Sequence, residues 1–430
     1  MRFRFVVYIL ISLFASVESI QAQTIVNIDM VLETALKDDK VVRESEMERF
    51  SNTLNYKLPA IKKVELRLGV NGNTSPDTLD GSMRNEDYYS LNVSPNRWKE
   101  MKLQKELKPA QTNLYSKEIE LLKMQALEER YLLLVNMYYN IETTKKRKEL
   151  LELLNSKNEL LQQMLNDGIT IKVSDALDTD KDLIQTYSAI QEELNTLSQF
   201  NYKLSQYLYS TQTFTVNFSD IITLKKAIEN SRLFPTDSSS AHPALVYKQA
   251  QYQFAKANYN LERVQNTNII NNFQVGYNRP VYTPEILKKF KPENTLTFRV
   301  GVVVPLYGNN NLNRNNANLQ QYNAMLNWKS AETIQSKTTA AQQSKLENTI
   351  SQYNAIETYY NKSIVIKFLE NEKLMAQSTA LEIIDLKIAK KKLEINMLGS
   401  ANNVMQNYIL MLEYKGLLKY DLRHQYLLAN

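Results

Sequence analysis

The sequence predicts a mainly α-helical chain that carries a few membrane β-strands and states its plan twice. Three observations lead there. In the stretch 295–304, Leu296, Phe298, Val300, Val302 and Val304 alternate with Thr297, Arg299, Gly301 and Val303. Period two marks a strand with one apolar face. Pro305 ends it, and a long amphipathic helix follows the loop 308–316. The same succession occurs earlier: Tyr89, Leu91 and Val93 alternate with Ser90 and Asn92, Pro95 stops the strand, and a long helix starts near Arg97. Finally, 430 residues contain only 9 Gly and 10 Pro, so the elements are few and long. A strand, a proline stop and a long helix, used twice, form an internal repeat, here 23–222 and 223–430.

Composition removes several function classes. The chain has no cysteine, hence no disulfide framework, thiolate metal site or lipid-anchored N-terminal Cys. The net charge of +6 is spread evenly and leaves no nucleic-acid footprint. Arg2 and Arg4 precede an apolar run over 5–15 and a polar segment ending at Gln21-Ala22-Gln23, which reads as an export signal over 1–22. No later window is apolar enough for a helical span.

The elements then follow in order. Short helices open each half at 28–37 and 223–231, and longer ones follow at 41–57 and 243–265. Pro243 sits at the first position of the latter, where proline is favoured. Strands are expected at about 63–72, where Val64, Leu66, Leu68 and Val70 alternate with polar residues, and at 86–95, 271–280 and 294–305. They read as two hairpins with long loops over 72–85 and 279–293. From Arg97 to Asn166 only Pro109 interrupts. Leu107, Leu114 and Leu121 are seven apart, as are Leu127, Leu134 and Ile141, the mark of a coiled-coil-like seam. Some 65 residues make a rod of roughly 100 Å. A second rod is expected over 317–392. Breaks at 167–174 and 397–403 lead to return helices at 175–210 and 404–428, completing long helical hairpins over 97–210 and 317–428.

Strand dimensions fit an outer membrane. About 10 residues tilted near 45° span roughly 24 Å, close to the apolar band of an outer-membrane barrel. Tyr88, Trp98, Tyr282 and Tyr307 lie near strand ends, where aromatic girdles belong. Four strands cannot close a barrel, and eight leave no open lumen, so a conduit needs at least three chains. Glu65, Arg67, Asn92, Asn278 and Arg299, on the polar faces, would line its water-filled lumen.

The repeat order, the strand exit Pro305-Leu306-Tyr307-Gly308 and the helix start His242-Pro243-Ala244-Leu245 resemble the TolC family of outer-membrane efflux proteins. The resemblance covers nearly all the mature chain. It implies a homotrimer with a twelve-stranded barrel and an α-helical periplasmic tunnel, docked to a periplasmic adaptor (membrane fusion) protein and an inner-membrane RND or ABC transporter. It implies outward passage of drugs, toxins, metals or proteins without catalysis. The family's hairpin tips carry a glycine, a small polar residue and an Asp. Gly168, Ser174 and Asp175 follow that pattern; at the second tip Gly399 and Ser400 stand near it, Met397 holds the usual glycine place and Asn403 replaces the acid. These are the candidate adaptor contacts.

If the tunnel narrows there, the starts of the return helices face its bore: Asp175, Asp178 and Asp182 on one, Asn402, Asn403 and Asn407 on the other. Three inward copies of an Asp would make an anionic ring favouring cations; acids at a helix start also simply complement its dipole. His242 and His424 lie far apart and carry no metal assignment. The lysines of 288–291 suit a solvated external loop, with lipopolysaccharide as a conceivable partner. No phosphate loop, nucleophile elbow, zinc helix or cofactor motif is present, so an enzyme is not expected. The alternatives are a soluble periplasmic coiled-coil adaptor or scaffold, which would extract without detergent, and a cell-surface binding protein that uses the long loops.

Overall fold

The structure, a computed structural model, describes residues 24–37, 39–53, 61–74, 83–95, 98–210, 214–234, 242–265, 270–281, 294–302 and 309–429. The export signal expected at 1–22 lies outside them, as do Tyr282, Pro305, Tyr307 and the lysines of 288–291. In order the elements are β1 (Thr24–Asn27), α1 (Ile28–Lys37), α2 (Lys40–Thr53), β2 (Ile61–Thr74), β3 (Met83–Pro95), α3 (Trp98–Asn166), α4 (Val173–Tyr207), β4 (Phe214–Asn217) and α5 (Leu224–Arg232). Then come α6 (Pro243–Gln265), β5 (Ile270–Val281), β6 (Thr295–Val302), α7 (Asn309–Lys362), α8 (Ile364–Leu369), α9 (Glu372–Gln377), α10 (Ala380–Tyr414), a 3-10 turn (Tyr420–Leu422) and α11 (Arg423–Tyr426). Among the described residues no helix is long and apolar enough to cross a membrane.

The chain divides into two units that draw on both halves of the sequence. One contains residues 1–45, 119–243 and 333–430. Its core gathers Ile28, Leu32, Leu127, Leu134, Tyr408 and Ile409, all at most 1 % exposed. Each such side chain contributes about 1.5–3 kcal/mol by leaving water, so the seven-residue spacing on α3 marks a packed seam. β1 pairs in parallel with β4, a two-stranded ribbon the sequence reading missed. Four-residue strands are too short to show a period.

The other unit contains residues 46–118 and 244–332 and holds one antiparallel sheet, in the order β2-β3-β5-β6. The strands expected as two separate hairpins are therefore continuous, because β3 pairs with β5 as well as with β2.

The second rod departs from the sequence reading. Residues 397–403, expected as a break, lie inside α10, and the chain instead breaks at Ser363, at Glu370 and Asn371, and at Ser378 and Thr379. Gly399 and Ser400 look like a stop, yet one helical glycine costs only about 1 kcal/mol. The flanking Ala401, Val404, Met405 and Tyr408 are buried and outweigh it. The true start carries strong chemistry: Thr379 and Glu382 form a reciprocal capping box, and Asn371 accepts from the backbone N–H groups of Lys373 and Leu374. The return helix ends at Tyr414 and does not run on to Leu428. There the N–H groups of Gly416 and Leu417 bond back to the carbonyls of Glu413 and Leu412, with Gly416 at φ +65°.

Candidate functional sites

Two surfaces stand out, one in each unit. The first is the four-stranded sheet. Register places Leu66, Leu91, Val275 and Phe298 in one row, with Val64, Val93, Phe273 and Val300 on one side of it and Leu68, Tyr89, Tyr277 and Leu296 on the other. Residues alternate across the sheet, so these twelve share a face. That face is open: Leu66 is 67 % and Phe298 71 % exposed. Tyr89 and Tyr277 meet with ring centroids 6.4 Å apart.

The opposite face is polar and better covered. Glu65, Asn92, Gln274 and Arg299 form one of its rows, Arg67, Ser90, Gly276 and Thr297 the next, and Tyr88 pairs with Asn278 beyond. All five residues named as lumen candidates thus share one side of the sheet. Arg67 pairs with Glu65 at 3.1 Å, Asn272 donates to Asn92 at 2.9 Å, and Gln274 donates to the Tyr88 hydroxyl. Ser90 is 1 % exposed. Tyr88, expected in an aromatic girdle, is therefore on the polar side; Tyr89 and Tyr277 hold the aromatic row of the apolar side. The one-residue error follows from period two: adjacent residues face opposite ways.

The second surface is the pair of hairpin turns in the other unit. α3 ends in a Schellman turn, in which the N–H of Ile169 bonds to Met164 O at 2.8 Å and that of Gly168 to Leu165 O at 3.1 Å. Gly168 sits at φ +73°, a conformation in which a Cβ is costly. Leu165, Ile169, Val173 and Leu177 are all exposed around this turn. Ser174 donates to Asp175 at 3.4 Å. Gly399 and Ser400 are not at a tip: they lie well inside α10.

Behind the turns, ion pairs join the helices. Lys157 meets Asp385 at 2.7 Å, Arg147 meets Glu193 at 2.8 Å, and Lys392 meets Asp182 at 2.6 Å. Lys146 and Lys391 share Glu149 and Glu394 at 2.6–3.4 Å. The Lys391 hydrogen bond holds the Glu149 carboxyl below its ordinary range. Burial opposes ionisation of Glu394, but Lys391 and Lys146 outweigh it and lower that carboxyl too.

The aspartates and asparagines expected at one constriction are not brought together. Lys392 stands level with Asp182, and Asn403 lies eleven residues further along α10, about 16 Å at helical rise. Asn407 is buried, accepts from Gln342 at 3.2 Å and donates to Asn403 O at 2.8 Å; it is a packing residue. The displaced break is the cause, since it shifted the start of the return helix. Among the described residues no group of three His, Cys, Asp or Glu side chains could hold a metal. His242 is buried against Glu413 O at 2.9 Å.

The sequence matches no family model and no curated protein. The fold does have solved counterparts. A CusC structure, described for transmembrane channel formation, superposes with TM-score 0.65 at 16 % identity, covering 90 % of this chain and 92 % of that one. The open state of the MtrE outer membrane channel of Neisseria gonorrhoeae gives 0.65 at 12 %, over 91 % and 88 %. The CmeC outer membrane channel of Campylobacter jejuni gives 0.61 at 11 %, over 90 % and 85 %. The chain therefore has the fold of TolC-type outer-membrane channels, in which the sequence resemblance and the structural likeness meet.

Proposed function

We propose that this chain is the outer-membrane exit duct of a tripartite efflux or type I secretion system. In this reading it is a homotrimer with a pooled twelve-stranded barrel and a helical tunnel in the periplasm, engaged by a periplasmic adaptor and an inner-membrane RND or ABC transporter. One observation carries the reading: twelve apolar side chains lie in register on an open sheet face, with the polar and charged residues gathered on the opposite one. In water that arrangement is inverted, whereas lipid outside and water inside satisfy both faces. Among the described residues, β2 and β6 each pair along one edge only, and copies of the chain supply the further partners. A soluble periplasmic scaffold would have no use for this exposed face.

Glu65, Arg67, Asn92, Asn278 and Arg299 then line the lumen. The turn around Gly168 and Ser174 faces the adaptor, and Asp175, Asp178 and Asp182 start the helix behind it as the narrow region. The test is fractionation followed by unheated gel electrophoresis and planar-bilayer recording of the purified protein. A heat-modifiable trimer in the outer membrane with discrete conductance steps is expected. Extraction into buffer as a monomer would refute the reading. For the narrow region, Asp178→Ala is expected to lower cation preference in the same recordings; unchanged reversal potentials would remove the aspartates from the conducting path.

A further inference from the structure

Arg299 is the charge that the polar face of the sheet leaves free. Most groups around it are tied to a neighbour. Asn272 donates to Asn92 at 2.9 Å, Gln274 donates to the Tyr88 hydroxyl, and the Thr297 hydroxyl donates to Gly276 O at 3.2 Å. Two glycines make room for these bonds. A Cβ on Gly276 would stand 2.6 Å from Thr297 Oγ1 and 3.4 Å from the Tyr88 ring, and one on Gly301 would overlap the Asn272 amide. The result is a neutral lattice of amides and hydroxyls laid along the sheet.

Charge on this face is committed too, with one exception. Among its described side chains, Glu65, Arg67 and Arg299 are the charged ones. Glu65 and Arg67 meet at 3.1 Å and offset each other. Arg299 is exposed, stands opposite Gln274 in register, and has no acidic partner among the described residues. Two bases and one acid leave this face positive.

We infer that Arg299 gives the pore a preference for anions, so that negatively charged solutes are the cargo class favoured in the barrel. The inference rests on the duct reading, in which this face lines the lumen. Three symmetric copies set three guanidinium groups at one level of that lumen. Rings of Arg or Lys favour anions in pores as rings of carboxylates favour cations. A guanidinium stays charged at any working pH, so the preference does not fade near neutrality. The lattice beside it supplies hydrogen bonds and no competing charge. An exposed, hydrated cation also attracts an anion without trapping it, which conduction requires.

The test is the reversal potential of the purified protein in planar bilayers under a potassium chloride gradient, for the wild type, Arg299→Gln, Arg299→Lys and Glu65→Gln. Arg299→Gln is expected to lower the chloride-to-potassium permeability ratio by roughly threefold at about 10 mM salt, and by much less at about 1 M, where screening shortens the reach of a charge. Arg299→Lys should keep the wild-type ratio, because the sign of the charge decides it. Glu65→Gln leaves Arg67 without its carboxylate and should raise the ratio. A wild type without conductance would overturn the duct and this inference together. Conducting pores whose ratio at low salt is unmoved by Arg299→Gln, or moved as far by Arg299→Lys, would overturn the inference alone and leave the duct standing.

Discussion

Arg130 shows how one residue can tie a region together. It is 2 % exposed. Its guanidinium donates to Asp39 at 3.0 Å, to Thr34 at 2.9 Å and to Ala126 O at 3.1 Å, and lies 4.3 Å from the centre of the Tyr207 ring. Arg130→Met leaves Asp39 without its cation and should cost about 3 kcal/mol, read as a lowered denaturant midpoint. Arg130→Lys should recover little, since an ammonium cannot serve three directions in one plane. Glu413 sets a pH dependence. Burial first, and the charge of Glu128 second, push its carboxyl up to about 7. The folded state thus holds a proton that the unfolded chain releases near 4.5, so the associated stability is full below 4.5 and lost as pH rises to about 7. Burial lowers the His242 pKa against a hydrogen bond to Glu413 that raises it; a depressed base works the other way, costing stability as pH falls below 6.5. Comparing wild type with Glu413→Gln isolates the carboxyl: the variant's melting temperature should decline less between pH 5 and 7.5. Parallel curves would refute the assignment.

For single elements, the sheet makes the sharpest prediction. Phe298→Arg on the apolar face should disfavour insertion into vesicles by about 2–4 kcal/mol if the site lies at mid-membrane, measured by reversible denaturant titration in lipid. Thr297→Arg, one residue away on the polar face, should insert nearly as the wild type does. Equal effects would mean that the two faces do not divide lipid from water. These strands were legible in the sequence because period two survives whatever covers either face, and the start of α6 was legible because Pro243 announces it. The second hairpin was not. Gly399-Ser400 looks like a stop only until the burial of Val404, Met405 and Tyr408 is known, and burial is a tertiary fact. The real breaks fall at Ser363, Asn371 and Thr379, polar residues that read as ordinary solvent-facing positions until Ser363 is seen to be buried and the side chains of Asn371 and Thr379 to cap backbone N–H groups. The asparagines expected level with Asp182 stand further along for the same reason: α10 starts at Ala380, so Lys392 faces Asp182 and Asn403 lies about 16 Å beyond.

At the scale of the whole molecule, the helical unit is assembled from three remote stretches of sequence. Asp29 pairs with Arg423 at 2.6 Å, the Tyr131 hydroxyl donates to Leu427 O, and Ile221 bridges to Leu428. Leu418, Leu427 and Leu428 are buried in the same core as Ile28 and Leu32. Replacing Leu427 and Leu428 together by Ser should therefore unfold far more than the tail; a loss of helical circular dichroism well beyond α11 is expected, and a change confined to the last turn would contradict it. A nascent polypeptide emerging from one end cannot close such a centre early, because its final pieces arrive last. The core must wait for residues 418–428, and contacts spanning hundreds of residues form slowly. Until the stretch carrying Leu418, Leu427 and Leu428 joins, the side chains of Ile28 and Leu32 lack part of the core that buries them, and the partly built unit exposes apolar surface.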